Sequence, residues 1–158
     1  MLDPIFYTDS YGYRKNKSAH DAIAVTWERC WKHDWVLEFD IRGLFDNIPH
    51  ELLTRALRNH ISEPWVLLSV ERWLNVTMVL PDGNIMERKA GTPQGGVVSP
   101  VLANLFMHYP FDKWMQREFP TIPWCPYADD GRANCASLAQ AEILKARLDA
   151  GLRECGVE

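Results

Sequence analysis

The sequence predicts an α+β domain in which helices pack on an antiparallel sheet. Three observations carry that expectation. "WVLEFDI" at 35–41 alternates, with Leu37, Phe39 and Ile41 on one side and Val36, Glu38 and Asp40 on the other, the period of a half-buried strand. Asp82-Gly83, and the YADDG run at 127–131, place turn residues between extended stretches, so the chain doubles back in hairpins. Apolar residues at helical spacing fill the intervals, with Ser or Pro at their starts. At 158 residues and 47% hydrophobic content the chain can bury one substantial core.

Taken in order, residues 1–17 have little periodicity and read as an extended or looped segment mixing aromatic and basic side chains. Ser18, with Asp21 three positions on, is the start of an amphipathic helix running to about Lys32. The strand at 35–41 follows, with Asp40 near its end. Pro49 marks a second helix with an apolar stripe of Leu52, Leu53, Ala56, Leu57 and Ile61, and Pro64 opens a third in which Trp65, Leu68 and Trp73 are expected to pack. Residues 76–89 form a hairpin around Asp82-Gly83. "GTPQGGVVSP" at 91–100 is a glycine-rich loop, after which Ser99 caps and Pro100 begins a long apolar helix to about Arg117, kinked or broken at Pro110. "WCPYADD" approaches a turn in which Gly131 would supply positive φ, and "GRANCAS" leaves it. Ser137 and Gln140 form a capping box for a final helix ending near Gly156. The seven tryptophans fall mainly on apolar helical faces and are expected in the core.

Composition narrows the function. No run of about 18 apolar residues occurs, and "MLDPIFYTDS" lacks the basic-then-apolar order of a signal peptide, so the expected location is cytoplasmic, without a membrane partner. Cys30, Cys125, Cys135 and Cys155 are scattered and read as reduced, mostly buried thiols. His20, His50, His60 and His108 show no metal-ligand spacing. The net charge of −4 argues against a nucleic-acid partner, whose phosphates usually select a basic surface.

Asp129 and Asp130 stand side by side although like charges repel. An Asp-Asp-Gly turn is one explanation. The other is a divalent cation, whose charge reverses the repulsion. A third carboxylate would favour the cation, and Asp40, at the end of its strand, supplies one if the strand and the hairpin are neighbours. Magnesium suits such a place, because it takes one or two carboxylates and completes its octahedron with water and substrate phosphates. Two such ions would clamp the attacking and leaving oxygens of a phosphoryl transfer.

"FDIRGLFDNIPHELL", "GTPQGGVVSPVLANLFMHYPFD" and "YADD" resemble the three central palm motifs of reverse transcriptases of the group II intron and retron type, and "DSYGYRKNKSAHDAI" resembles the preceding fingers motif. The four occur in the family's order and span nearly the whole chain. The resemblance implies a polymerase palm over 35–158, with motif A at 37–50, motif B at 91–112 and motif C at 124–136. It makes residues 1–34 part of the fingers, in one compact unit without a thumb. It implies that Asp40 and Asp129 bind both metals, Mg²⁺ with Mn²⁺ as a substitute, that Asp130 supports or joins them, and that the Ile41 carbonyl is a further ligand. Glu38 and Asp46 are expected to be surface or helix-entry charges.

By the same resemblance Phe45 lies beneath the incoming sugar, where a 2′-hydroxyl would collide with it. Gln94, Gly95 and Gly96 would approach the nucleotide. Arg14, Lys15, Lys17 and Tyr13, or Tyr11, would touch template, triphosphate or backbone; Ser99, Pro100 and Asn104 are expected to be structural. The implied activity is template-directed DNA synthesis on a primer 3′-hydroxyl. RNA template, primer and deoxynucleoside triphosphates would be the partners, joined by intron RNA for an intron-encoded member. The family reads Pro-Gly where this chain has Lys15-Asn16, and apolar strand residues where it has "GRAN", so that arm of the hairpin is expected to be twisted, exposed or weakly paired. The family's first fingers motif, thumb and primer grip have no counterpart in these 158 residues. A truncated palm is therefore expected, inactive alone and prone to form a homodimer, and basic surface on the missing parts would account for the acidic charge. Two alternatives stand: a noncatalytic RNA-binding maturase fragment, and a palm-fold nucleotide cyclase, against which the GTPQGG loop and Phe45 argue.

Overall fold

The computed structural model describes residues 2–79, 81–93 and 95–158. Helix α1 (Ala19–Cys30) begins as its sequence dictates: the Ser18 hydroxyl accepts from the Asp21 amide while the Asp21 carboxylate accepts from the Ser18 amide. Strand β1 (Trp35–Asp40) follows, and Gly43 at φ +58° turns the chain into the single-turn α2 (Leu44–Asn47), which the periodicity does not announce. Pro49 then caps α3 (His50–Arg58), which buries Leu53, Ala56 and Leu57, and Pro64 begins α4 (Pro64–Leu74). The hairpin at Gly83 is present but short, β2 (Met78–Val79) pairing with β3 (Ile85–Met86).

Next come α5 (Ser99–Met107), a π-helical stretch (His108–Lys113) and α6 (Trp114–Glu118). The expected long helix is thus divided at Pro110, whose missing N–H and bulky ring are accommodated in the wider turn. Ser99 is not its cap. It is the first helical residue, and its hydroxyl donates to the Pro93 carbonyl at 2.7 Å, fastening the helix to the preceding loop. Strands β4 (Trp124–Tyr127) and β5 (Asp130–Cys135) then lead to α7 (Leu138–Glu154). The Ser137 hydroxyl accepts from the Gln140 amide, but the Gln140 side chain reaches back to the amide of Ala136, one residue beyond the cap. Gly156 at φ +80° closes the helix: its amide donates to Arg153 and that of Val157 to Leu152. The Arg42 amide donates to the Glu158 carbonyl at 2.6 Å, so the last residue is fastened to the exit of β1.

The main sheet has the order β1-β5-β4, antiparallel throughout. Far from being exposed or weakly paired, "GRAN" belongs to the central strand, with Gly131, Ala133 and Asn134 buried. The reason lies at Gly131, which pairs with Phe39. A Cβ on Gly131 would stand 2.2 Å from Phe39 Cζ, so the ring occupies the place of a side chain. Gly131 therefore serves close packing, and positive φ falls earlier, at Ala128 (+57°). Phe39 also meets Phe111 edge-on, 5.0 Å between centroids, which joins the sheet to the π-helical turn. Ile41, Leu44, Leu102, Leu105 and Leu144 complete this interior.

The free edge of β4 is covered by the N-terminal segment. The Tyr11 amide donates to the Pro126 carbonyl at 3.1 Å, and the Tyr7 ring stacks on Trp124 at 4.2 Å. Trp124 is buried and Trp73 and Trp114 are partly so, but Trp27, Trp31, Trp35 and Trp65 are exposed, as is Leu68, contrary to the expected core. Helical spacing marks a face; it does not supply the partner that would cover it. Cys125 and Cys135 are buried, Cys155 is half-buried and Cys30 is exposed, all as free thiols. Among the described residues no helix is long and apolar enough to cross a membrane.

Two glycines should respond oppositely to the same methyl group. Gly151 lies within α7, and a Cβ added there would have nothing within 4 Å. Gly151→Ala should therefore raise unfolding free energy by about 0.5–1 kcal/mol. Gly131→Ala should lower it by about 1–3 kcal/mol or more, because the Phe39 ring must move. Urea denaturation of the two variants measures both.

Candidate metal and nucleotide site

Asp40 is the last residue of β1 and Asp130 the first of β5, and the ladder sets them directly opposite each other. The Ile41 amide donates to the Asp129 carbonyl at 2.9 Å, which makes the 40–130 pair non-hydrogen-bonded, the kind whose side chains stand closest. Asp40 and Asp130 are exposed and Asp129 is half-buried. Desolvation raises the pKa of Asp130, and the charges of Asp129 and Asp40 raise it further, against the opposing pull of Arg132. Arg132 is itself paired with Glu38 at 2.6 Å, so its cation is shared.

Among the described residues no three His, Cys, Asp or Glu side chains are grouped so that they alone could hold a metal ion. The donor set nevertheless suits magnesium, which needs only one or two carboxylates if water and phosphate oxygens complete its shell. A cation would offset what raises the pKa of Asp130, desolvation first and the neighbouring carboxylates after it. The Ile41 carbonyl accepts a long bond of 3.3 Å from the Leu44 amide and retains a lone pair.

Beside the carboxylates lies a cleft of about 450 Å³, walled by Tyr13, Phe45, Asp46, Gly95, Gly96 and Asp129. Phe45 is half-buried on α2 and meets the exposed Tyr13 ring edge-on, at 6.4 Å. Its backbone is held from across the cleft: the Thr92 amide donates to the Phe45 carbonyl at 2.6 Å, and the Gly91 amide to the Ile48 carbonyl at 2.8 Å. Gly91 is at φ +77°, and a Cβ there would lie 2.6 Å from the Phe45 oxygen. His50 Nε2–H donates to the Gly91 carbonyl at 2.7 Å. Gly91, Thr92 and His50 thus fix the Phe45 wall. The glycine could have drawn attention to the first two, but nothing in the sequence marks His50.

The two loop glycines have separate duties. Gly95, exposed at φ +75°, leaves backbone open on the cleft. A Cβ on Gly96 would come within 2.4 Å of the Trp73 ring, so its smallness serves packing. Gln94 lies outside the described residues.

The basic residues expected on nucleic acid are mostly turned inwards. All five N–H groups of Arg14 are engaged, by the Asp3 carboxylate and the carbonyls of Asp3, Tyr7 and Ser10, and the side chain is 8% exposed. Lys17 donates to the Thr8 carbonyl at 2.7 Å and lies over the Tyr11 ring. A segment with almost no regular structure leaves carbonyls in need of donors, and these two side chains supply them. Lys15 is exposed. Asn16 takes φ +59°, the conformation glycine takes readily and Asn tolerates.

The chain matches, over residues 1–158, the family model described as reverse transcriptase (RNA-dependent DNA polymerase). An uncharacterized 91 kDa protein in the cob intron of Schizosaccharomyces pombe is 34% identical, over 68% of this chain and 13% of that protein. The group II intron-encoded protein LtrA of Lactococcus lactis subsp. cremoris is 32% identical, over 68% of this chain and 18% of that protein. The chain therefore spans less than a fifth of the length of these two relatives. In structure, an apo telomerase from Candida tropicalis superposes with a TM-score of 0.68 at 13% identity, over 95% of this chain and 34% of that one, a likeness of fold.

The strain at Asp130 predicts a pH-dependent response. A carboxyl whose folded pKa is raised binds more protons folded than unfolded, so its cost to stability appears as pH rises through the interval between the two values. In metal-free buffer Asp130→Asn should raise the melting temperature at neutral pH. The gain should vanish below the ordinary carboxylate range, near pH 3, where the native side chain is already neutral. Thermal melts of the two proteins at the two pH values test this.

Proposed function

The chain belongs to the reverse transcriptase family, and from that membership we propose that residues 35–158 are the palm, and 1–34 part of the fingers, of an RNA-directed DNA polymerase of group II intron or retron type. The observation that supports the reading is the cross-strand Asp40–Asp130 pair, with the adjoining Asp129 lining the cleft walled by Phe45. The reaction is transfer of a deoxynucleotide to a primer 3′-hydroxyl, with release of pyrophosphate. Its partners are an RNA template, a DNA or RNA primer, deoxynucleoside triphosphates and, for an intron-encoded protein, its own intron RNA.

Asp40, Asp129 and Asp130, with the Ile41 carbonyl, are the groups that would hold magnesium. Bound there, it supplies the positive charge that lowers the pKa of the primer hydroxyl and balances the phosphates. No side-chain nucleophile is required. Phe45 excludes the 2′-hydroxyl of a ribonucleotide by overlap, Gly95 offers backbone to the nucleotide, and Tyr13 supports the Phe45 ring.

A second reading, RNA binding for splicing without catalysis, draws on the intron-encoded relatives. The two readings separate on the carboxylates. In the full-length protein that carries this sequence, Asp40→Asn should reduce Mg²⁺-dependent extension of a primer on an RNA template by about a hundred-fold or more. Extension at the native rate would overturn the polymerase reading, and splicing unaffected by the same substitution would show what remains. Cyclic product from nucleoside triphosphates would instead point to a cyclase. Phe45→Ala in that protein should relax discrimination against ribonucleotides by about tens-fold, the effect of removing a clash of ~1–3 kcal/mol, while deoxynucleotide incorporation changes much less. Competition between labelled ribo- and deoxynucleotides reads the ratio directly.

A further inference from the structure

We propose that residues 10–14 are a positioning element for the Ala128–Asp129 turn, acting through the backbone of Gly12 and the side chain of Asn104. Ala128 adopts φ +57°, a conformation unfavourable for a non-glycine residue that persists only where its surroundings impose it. What lies on that turn is Gly12. A Cβ there would be 2.4 Å from the Ala128 nitrogen and 3.1 Å from the Tyr127 carbonyl carbon, so the two backbones are in direct contact.

Gly12 is in turn held from the core. The Asn104 side chain, buried on α5, donates from Nδ2 to the Gly12 carbonyl at 2.8 Å. On one side of Gly12 the Tyr11 amide is bonded to Pro126, and on the other Arg14 spends every N–H on residues 3–10. A continuous path of contacts therefore runs from α5 through Asn104 and Gly12 to the turn, and the next two residues are Asp129 and Asp130. Neither Gly12 nor Asn104 touches a reacting atom; both are positioning residues. Arg14 belongs to the same brace, which gives its buried guanidinium a task other than contact with nucleic acid.

Where it concerns metal, the inference rests on the reading of Asp40, Asp129 and Asp130 as ligands. The test uses the 158-residue chain with Gly12→Ala and, separately, Asn104→Asp, which keeps the side chain's shape but replaces the donor with an acceptor. Leu148→Ala in α7 is the control for loss of stability alone. Two quantities are read in each folded protein: amide hydrogen exchange by NMR, and Mn²⁺ affinity by titration. Residues 127–131 should exchange about tenfold faster in both variants, with Trp35–Leu37 unchanged. Mn²⁺ should bind about tenfold more weakly, the scale of losing a group that orients metal ligands. Leu148→Ala should lower the melting temperature without either local change.

Native exchange at the turn in either folded variant overturns the proposal. So does native Mn²⁺ affinity despite faster exchange, or an identical response from the control. If the unaltered chain binds no Mn²⁺, the ligand reading fails by itself, and the exchange data decide whether the brace sets the turn.

Discussion

The contact between the Phe39 ring and the backbone of Gly131 fixes how β1 lies on β5, and the site inherits its geometry from that choice. Strand pairing has a period of two, so a slip of one residue would turn Asp40 towards the interior and bring an apolar neighbour to the surface. Hydrogen bonds alone discriminate poorly between registers, because the backbone repeats. A ring filling the space that every other residue type occupies with its Cβ discriminates well: only Gly131 among the β5 residues can lie under it. The same ring meets Phe111, so the register is also tied to the helical layer.

What can be read from the sequence is governed by local rules. The Ser18–Asp21 box, the alternation at 35–40, the Pro64 start and the closing turn at Gly156 depend on residues a few positions apart, and each is found where the sequence predicts it. Glycine's permissiveness points to Gly131 as the turn residue, whereas the turn's positive φ falls on Ala128 and the glycine answers to a phenylalanine 92 positions away. Four tryptophans expected inside are exposed, because periodicity describes a face without saying what covers it. The place of Ser99 before Pro100 suggests a cap, yet its hydroxyl finds the Pro93 carbonyl instead. Of the site, the three aspartates and Phe45 are legible as motifs. Of the contacts around it, Gly91 and Thr92 are signalled only by the glycine of their motif and His50 by nothing, since each depends on backbone brought in from elsewhere in the chain.

The carboxylates illustrate a conflict between folding and chemistry. Packing places Asp130 opposite Asp40 and beside Asp129, and desolvation, with the neighbouring charges after it, opposes ionisation there. Arg132 opposes it with a guanidinium that Glu38 shares. Strain of this kind survives when rigid surroundings impose it, and here they are the β1–β5 ladder and the apolar side chains packed beneath it. The inward-turned Arg14 and Lys17 are spent on carbonyls of their own segment rather than on the carboxylates.

The sheet order also has a kinetic side. β4 and β5 are joined by a tight turn and can pair as soon as both exist, but β1 must find β5 across some 90 intervening residues, a slow closure by comparison. Asp40 therefore meets Asp129 and Asp130 only when the longest-range pairing of the sheet is made. During synthesis the three carboxylates are therefore brought together only after β5 has emerged and found β1, so the negative charge is concentrated late, once the chain between the two strands has been made.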